Sequence, residues 1–423
     1  MGIMSQGSRR GSAASIALIA ILFLTFASVM LDRMASLYLG PYLVDALHLS
    51  AKEIGVLTSV TGICWALSSL FFGALSDRVG RRKVLIPAVF IFAVCSWLSG
   101  TAHSFHQLLL YRALLGFAEG PCWSVIMALT QESSALEHRG RNVGIVNSAG
   151  PLAGAAIAPV FTTQMAKAFG WQWGFYGAGI PALLCGVLLL LFVREPKERV
   201  ASIQANRPSV RDFAKLLRYG NLWLCLLGAL GVSTWVFGFT TFAPLYITKV
   251  MHQTPTLAGF LLGASGLGGF AWSFFGTGIA DHLGRKRTLA LFATLFLFIP
   301  LVFMVPSLYR VPWVLAGLAL VLMTTSASAA LVMILIPSEC VPGNFVAAAI
   351  GFAGIGSEFL GSALAPIIGG TLADTYGLSA PMWLAVGGAG VVLFVSLVIR
   401  ETLVRPARPL SQEVANLQTS SVQ

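Results

Sequence analysis

The chain alternates long apolar runs with short polar breaks. Twelve runs reach the roughly 20 residues that a helix needs to cross the hydrocarbon core of a bilayer. They start near residues 14, 52, 84, 105, 143 and 173, and again near 220, 255, 288, 311, 343 and 378. Lipid offers backbone groups no water, so a spanning segment must be a helix or part of a closed barrel. Runs this long and unbroken predict helices. The longest polar stretch, "REPKERVASIQANRPSVRDFAKLLRYG", separates the sixth run from the seventh. The pattern therefore predicts an all-α membrane protein with twelve transmembrane helices in two six-helix bundles. The bundles are residues 1–194 and 220–400, with a linker at 195–219 and a tail at 401–423 that reads as disordered. Within the polar stretch, Ser209 and Asp212 have capping-box spacing. The stripe of Val210, Phe213, Leu216 and Leu217 that follows predicts a short surface helix.

Composition strengthens this reading. The chain is 57% hydrophobic and only 10% charged, with a mean hydropathy of +0.82, whereas soluble domains average about 25% charged. Arg9 and Arg10 before the first run resemble the start of a signal peptide. The run is longer than a signal core and lacks a convincing cleavage site, so it is expected to be the first transmembrane helix. The net charge of +11 would point to nucleic acid in a soluble protein, but its distribution gives another reason. The side bearing both termini holds 21 of the 27 Lys and Arg, and the opposite side holds four. That imbalance predicts both termini in the cytoplasm. Localisation in a bacterial-type cytoplasmic (inner) membrane is expected, with lipid and no nucleic acid as partner.

The six cysteines form no C-x-x-C pair and fall in or beside apolar runs, where they are expected to pack rather than to bridge or bind zinc. His103 and His106 have no carboxylate or cysteine nearby and read as interfacial. No cofactor and no metal site is expected. The H-E-x-x-H, G-x-S-x-G and P-loop patterns are absent, so an enzyme is not expected.

One internal repeat stands out. The loop between the second and third runs reads "GALSDRVGRRK" (Gly73 to Lys83), and that between the eighth and ninth reads "TGIADHLGRKR" (Thr277 to Arg287). Asp77 and Gly80 recur as Asp281 and Gly284 at the same place in the second half. The first loop resembles the signature loop of the major facilitator superfamily, and "YRALLGFAEG" in the fourth run is similar to its R-x-x-x-G motif. The resemblance covers nearly the whole chain. It implies a secondary transporter whose two bundles rock around a midplane site. It further implies a cytoplasmic latch between the bundles, formed by Asp77, Arg78, Gly80 and Arg81, with Asp281 as a weaker counterpart.

Within the superfamily, three places resemble the anion:cation symporter family. These are Asp32-Arg33 followed by "LSAKEIGVLTS", "GFAEGP" with Glu119, and "FGWQWGFYGAG". That resemblance implies a small organic carboxylate carried with protons, sodium being the alternative ion. The chain departs from the family at Met30 and Met34, where the family usually has tyrosine and asparagine. This opens the way to a substrate unlike the polyhydroxylated sugar acids.

Ionisable residues inside a membrane are costly and point to function. Five are expected there: Asp32, Arg33, Arg112, Glu119 and Glu358. At 1.5 Å per residue, Arg33 lies about 28 Å along the first helix and Arg112 about 10 Å down the fourth, which runs the other way, so the two are level. Glu119, two turns past Arg112, shares its face near the midplane. Neighbours in a helix diverge by about 100°, so Asp32 and Arg33 cannot both enter one cavity. A guanidinium grips a carboxylate in a fork and keeps its charge. Arg33 is therefore the first candidate to bind substrate, with Arg112 beside it and Tyr38 and Trp235 as further candidates. Asp32 and Glu119 are the candidates for proton coupling. Glu358 is either a further coupling acid or a tether between helices. The alternative for these charges is a set of buried salt bridges, such as Asp32 with Arg112, tying helices 1 and 4 together.

The sequence thus predicts proton-coupled symport of an organic anion by a functional monomer. A drug:proton antiporter is the alternative, because "GPLAGA" (Gly150 to Ala155) partly resembles the antiporter motif of the fifth helix. A sensor built on the same fold is a third reading, and it would require an added signalling domain.

Overall fold

The computed structural model describes residues 4–193, 216–342 and 345–403. The predicted linker helix from Ser209 to Lys215 and the tail beyond Leu403 lie outside the described residues. Leu216, from the predicted stripe, is described and is buried against Leu222, Ala349 and Phe352.

Twelve helices are long and apolar enough to span a membrane. In chain order they are α1 (Ile16–Tyr38), α2 (Ala51–Val79), α3 (Arg81–Gly100), α4 (Phe105–Ser133), α5 (Arg139–Phe169) and α6 (Gln172–Phe192). The second set is α7 (Gly220–Lys249), α8 (Pro255–Leu283), α9 (Arg285–Phe303), α10 (Pro312–Glu339), α11 (Ala348–Tyr376) and α12 (Ser379–Val398). Among the described residues there is no strand. The outer surface is apolar, with Phe71, Leu184, Leu191 and Phe275 all well exposed, as expected of side chains that face lipid rather than water. The chain is an integral membrane protein.

Local chemistry sets the helix ends. Ser50 and Glu53 form a capping box at the start of α2, and Thr254 caps α8. The joints α2–α3 and α8–α9 are each a single glycine, Gly80 at φ 109° and Gly284 at φ 95°. A side chain is strained in that region, and glycine is not. The turn therefore explains why glycine repeats in the two loops.

The two halves meet mainly through α2 against α11 and α5 against α8. At the end opposite the termini they close tightly. There a Cβ on Gly55 would collide with the Pro366 carbonyl, and towards mid-depth one on Gly266 would collide with that of Ala155. Lys249 Nζ is 2.6 Å from Asp45 Oδ1 across the halves. Asp374 is exposed near the end of α11, as its place in the sequence predicts, and also accepts hydrogen bonds from the first amides of α2, Ala51 N at 3.0 Å and Lys52 N at 3.1 Å. Those amides have no partner inside their own helix, and a carboxylate suits the positive end of the dipole. At the terminus-bearing end the halves stand apart. The Cβ positions of Gly140 and Gly144 on α5, and of Gly351 and Gly354 on α11, meet nothing within 4 Å.

This packing makes a prediction. Gly266→Ala forces a methyl group into the Ala155 backbone, and overpacking costs about 1–3 kcal/mol. The population closed at this end should fall relative to the open one by roughly 5- to 150-fold. Spin labels on α5 and α8 at that end should show a longer distance in the variant. An unchanged distance distribution in folded protein would mean that the glycine contact does not hold the gate.

Candidate functional site

The site is built around the adjacent pair on α1. Asp32 and Arg33 leave the helix in different directions, as the 100° step requires. Asp32 turns into its own half and is fully buried. Its Oδ1 lies 2.7 Å from Ser96 Oγ on α3 and 3.6 Å from Arg112 Nη1 on α4. Ser96 Oγ is also 2.9 Å from the carbonyl of Phe175 on α6, so one hydroxyl joins three helices. Arg112 Nη2 donates to Asp32 O at 3.1 Å, Arg33 O at 3.3 Å and Ser36 Oγ at 3.0 Å. Its guanidinium carbon lies 5.3 Å from the Phe175 ring centre. Arg112 is therefore clamped onto α1 and fully buried. It is level with Arg33, as the depth estimate predicted, but it does not reach the cleft between the halves.

Arg33 turns the other way. Its guanidinium lies over the indole of Trp65 on α2, 3.9 Å from the ring centre, and Nη2 is 3.9 Å from Glu358 Oε2 on α11. Arg33 is 7% exposed and donates no hydrogen bond among the described residues. Glu358 belongs to the other half and is 43% exposed. It sits in a widened, π-helical turn, Gly356–Gly361, of a kind often found at functional positions. Around that turn Gly356 packs against the Leu226 carbonyl of α7, and the hydroxyls of Ser233 and Ser357 pair at 2.6 Å. The helix is thus anchored on one face while Glu358 leaves from the other. A matching π-turn, Gly150–Ile157, lies in α5. It is the "GPLAGA" segment, and it packs Gly154 against Met30 and Met34 of α1.

Glu119 is fully buried, and neither carboxylate oxygen accepts a hydrogen bond among the described residues. Asp32, Arg112 and Arg33 are the charges that act on it. Beside it α4 presses against α2, with Gly116 at the Thr61 carbonyl and Gly120 at that of Trp65. A side chain at either glycine would push away the helix that carries the Trp65 ring.

Two expected binding residues lie elsewhere. Trp235 is fully buried inside the second half, stacked on Phe239 at 5.0 Å and edge-on to Phe296 at 5.5 Å. In this conformation the ring packs into the core of that half, with its Nε1–H buried and without a partner among the described residues. Tyr38 is also buried in the core at the closed end. Sequence reasoning missed Trp65, Ser96 and Phe237. An aromatic or a serine in an apolar helix carries no positional signal of its own, and only the fold brings these beside Asp32 and Arg33. A groove of about 450 Å³ between α3 and α6, lined by Trp97, Trp173 and Ile180 among others, presents no polar surface and offers nothing to a carboxylate.

The expected latch residues form two equivalent clusters at the terminus-bearing end. Arg81 pairs with Asp77 at 3.2 Å and Glu132 at 3.0 Å. Arg285 pairs with Asp281 at 2.7 Å and Glu339 at 2.8 Å. These pairs run within each half and not between halves, because the halves are apart at this end. Arg78 is exposed beside them. The repeat offset that linked Asp77 to Asp281 also links Arg81 to Arg285, a signal present in the sequence. Glu401 joins the second cluster by accepting from the first amides of α9, Arg285 N and Lys286 N. Burial works against its charge, but the amides of Leu403, Arg285, Lys286 and Thr402 outweigh burial and hold the carboxyl below its ordinary range.

The family profile described as Major Facilitator Superfamily fits residues 21–359. Among curated proteins, a probable 4-methylmuconolactone transporter of Cupriavidus pinatubonensis is 29% identical over 60% of this chain and 60% of its own length. A hexuronate transporter of Bacillus subtilis is 29% identical over 58% of this chain and 62% of its own. A probable L-galactonate transporter of Escherichia coli is 29% identical over 59% of each. The chain thus spans about three fifths of the length of the curated relatives it matches. Among solved structures, a bacterial homologue of the human lysosomal transporter Spinster, inward-facing and unoccupied, superposes with a TM-score of 0.70 at 16% identity, covering 92% of this chain and 94% of that one. A nucleoside transporter superposes with a TM-score of 0.71 at 14% identity, covering 91% and 98%. At these identities the likeness is one of fold.

Proposed function

Since the chain belongs to the Major Facilitator Superfamily, we propose that it is a secondary active transporter that carries a small organic carboxylate together with protons by alternating access. The carrying observation is Arg33, a buried guanidinium turned to the cleft, with no hydrogen bond and one long ion pair to the opposite half. Five N–H donors without protein acceptors among the described residues, on a largely buried side chain that faces the cleft, suit a bound anion. The names of the relatives, for a muconolactone, a hexuronate and a galactonate, support a carboxylate.

In this reading both termini are cytoplasmic, so the described conformation is open to the cytoplasm. The substrate carboxylate takes the place of Glu358 at Arg33, and a proton neutralises the carboxyl so displaced. Glu119 is the second coupling acid, because both its oxygens are buried and unpartnered among the described residues. Asp32 and Arg112 act together as a positioning pair that fixes α1. A site centred on a guanidinium disfavours the cationic drugs of many antiporters. The protein works as a monomer, and the coupling ion is the proton.

Uptake into proteoliposomes with an imposed pH gradient tests this. Acid outside should drive accumulation of an organic anion. If only cationic or neutral drugs move, and against proton entry, anion symport is wrong. Glu119→Gln should lose gradient-driven accumulation by tenfold or more yet retain anion exchange, since exchange needs no net proton movement. Equal loss of both in folded protein would assign Glu119 a structural role.

A further inference from the structure

The walls around Arg33 bear on the body of the anion. Building on the anion transport proposed above, we infer that the substrate is a monocarboxylate carried on an apolar or aromatic ring, with few or no hydroxyl groups. Arg33 is one cation for one carboxylate, because Arg112 is fully buried and its charge is paired with Asp32. The guanidinium already lies against the flat face of Trp65, and a ring attached to the bound carboxylate would extend along that same face. The void of about 10 Å³ beside Arg33 is lined by Met34, Leu37 and Phe237 and by the hydroxyl-bearing Ser36, Thr58 and Thr61. It holds no more than one water, so a substrate larger than that must part these side chains and bury itself among them. Methionine suits such a wall, because its thioether adapts to irregular apolar shapes and to ring edges. Met30 and Met34 both occupy the face of α1 that meets the α5 π-turn.

The nearby hydroxyls do not offset this. Thr58 Oγ1 donates to the Ile54 carbonyl at 3.1 Å and Thr61 Oγ1 to that of Leu57 at 2.8 Å. Both protons are spent on their own helix, which leaves Thr58 and Thr61 only acceptor capacity, while Ser36, which accepts from Arg112, keeps one O–H to donate. Three side-chain hydroxyls are too few to replace the water around a polyhydroxylated acid, and its remaining hydroxyls would lie against carbon and sulfur without partners. An apolar ring loses nothing there and gains from burial.

Calorimetry on the purified full chain in detergent tests the inference and avoids the passive leak of aromatic acids through lipid. The probes are benzoate and cyclohexanecarboxylate against gluconate and galacturonate, all monoanions. The ring acids should bind at least tenfold more tightly than the sugar acids. Met34→Asn should narrow that ratio at least threefold by adding an amide to the wall. Should that variant not fold, the wild-type ratio decides alone. Gluconate or galacturonate binding as tightly as benzoate, and lost in Arg33→Ala, would overturn the ring preference while sustaining anion binding. No binding by any of the four would overturn both.

Discussion

Arg33→Ala should lower carboxylate uptake by about 30-fold to several thousand-fold, the largest functional effect expected of any single substitution here. Removing one partner of a buried, hydrogen-bonded charge pair costs about 2–5 kcal/mol, and each 1.4 kcal/mol is roughly tenfold in affinity. The loss should appear in anion binding as well as transport. The fold should survive, because Arg33 donates no hydrogen bond among the described residues, and although Glu358 Oε2 is buried, the side chain is 43% exposed and can turn to water or take up a proton. Arg33→Lys separates charge from shape. It keeps the cation but presents one compact ammonium in place of a fork, so it should recover part of the binding and less than all of it. Full activity in Arg33→Ala, in protein that elutes as a single monodisperse species, would remove Arg33 from the site and with it the carrying observation for an anion.

Much of this architecture was legible before any coordinates. Twelve spans, the six-plus-six division and the repeated loop follow from segment length and from Asp77 and Gly80 recurring in the second half. These are one-dimensional signals, and the membrane makes them strong by forbidding other solutions. Depth was legible for the same reason. A rise of 1.5 Å per residue put Arg112 level with Arg33, and the structure joins Arg112 to the carbonyls of Asp32 and Arg33.

Direction around the helix axis was less legible. The 100° rule said that Asp32 and Arg33 diverge, but not which of them met the cleft. That depends on which neighbour packs on each face, and Ser96 and Trp65 gave no advance sign of it. Trp235 was ambiguous because an aromatic at mid-depth looks alike in a core and in a cavity. The π-turns of α5 and α11 were hidden altogether. They arise from close backbone approach, such as Gly356 to Leu226, and change the facing of residues by a local slip that no periodicity records. The latch depends on conformation: with the halves apart at this end, Arg81 and Arg285 pair within their own halves, and a contact between halves can form there only when that end closes.

The second large effect concerns stability, and it decides between two roles for the Asp32–Arg112 pair. Arg112→Leu should destabilise the protein by about 3–5 kcal/mol, the usual cost of breaking a buried pair by removing one partner. It strands Asp32 at zero exposure with Ser96 as its one remaining side-chain partner, and it frees α1 from α4 at the point where Arg33 must be aimed. Asp32→Asn alone leaves the buried Arg112 cation without its carboxylate but should cost less, because an amide can still bond Ser96 and the guanidinium keeps Asp32 O, Arg33 O and Ser36 Oγ as acceptors. The double variant Asp32→Asn with Arg112→Leu should be more stable than Arg112→Leu alone, since the stranded carboxylate is gone. A coupling energy well above 0.5 kcal/mol would mark the pair as interacting. Thermal unfolding of the purified variants reads the stability, and anion binding reads the function. If the pair positions α1, the double variant should regain stability while anion affinity stays weakened, because the clamp on the Asp32 and Arg33 carbonyls is still missing. If Arg112 instead touched the anion, Arg112→Lys would retain affinity through its charge. If Asp32 carried the proton, Asp32→Asn would keep exchange and lose only accumulation. The geometry favours the clamp: Arg112 spends one of its two terminal nitrogens on three acceptors of α1 and reaches no cleft.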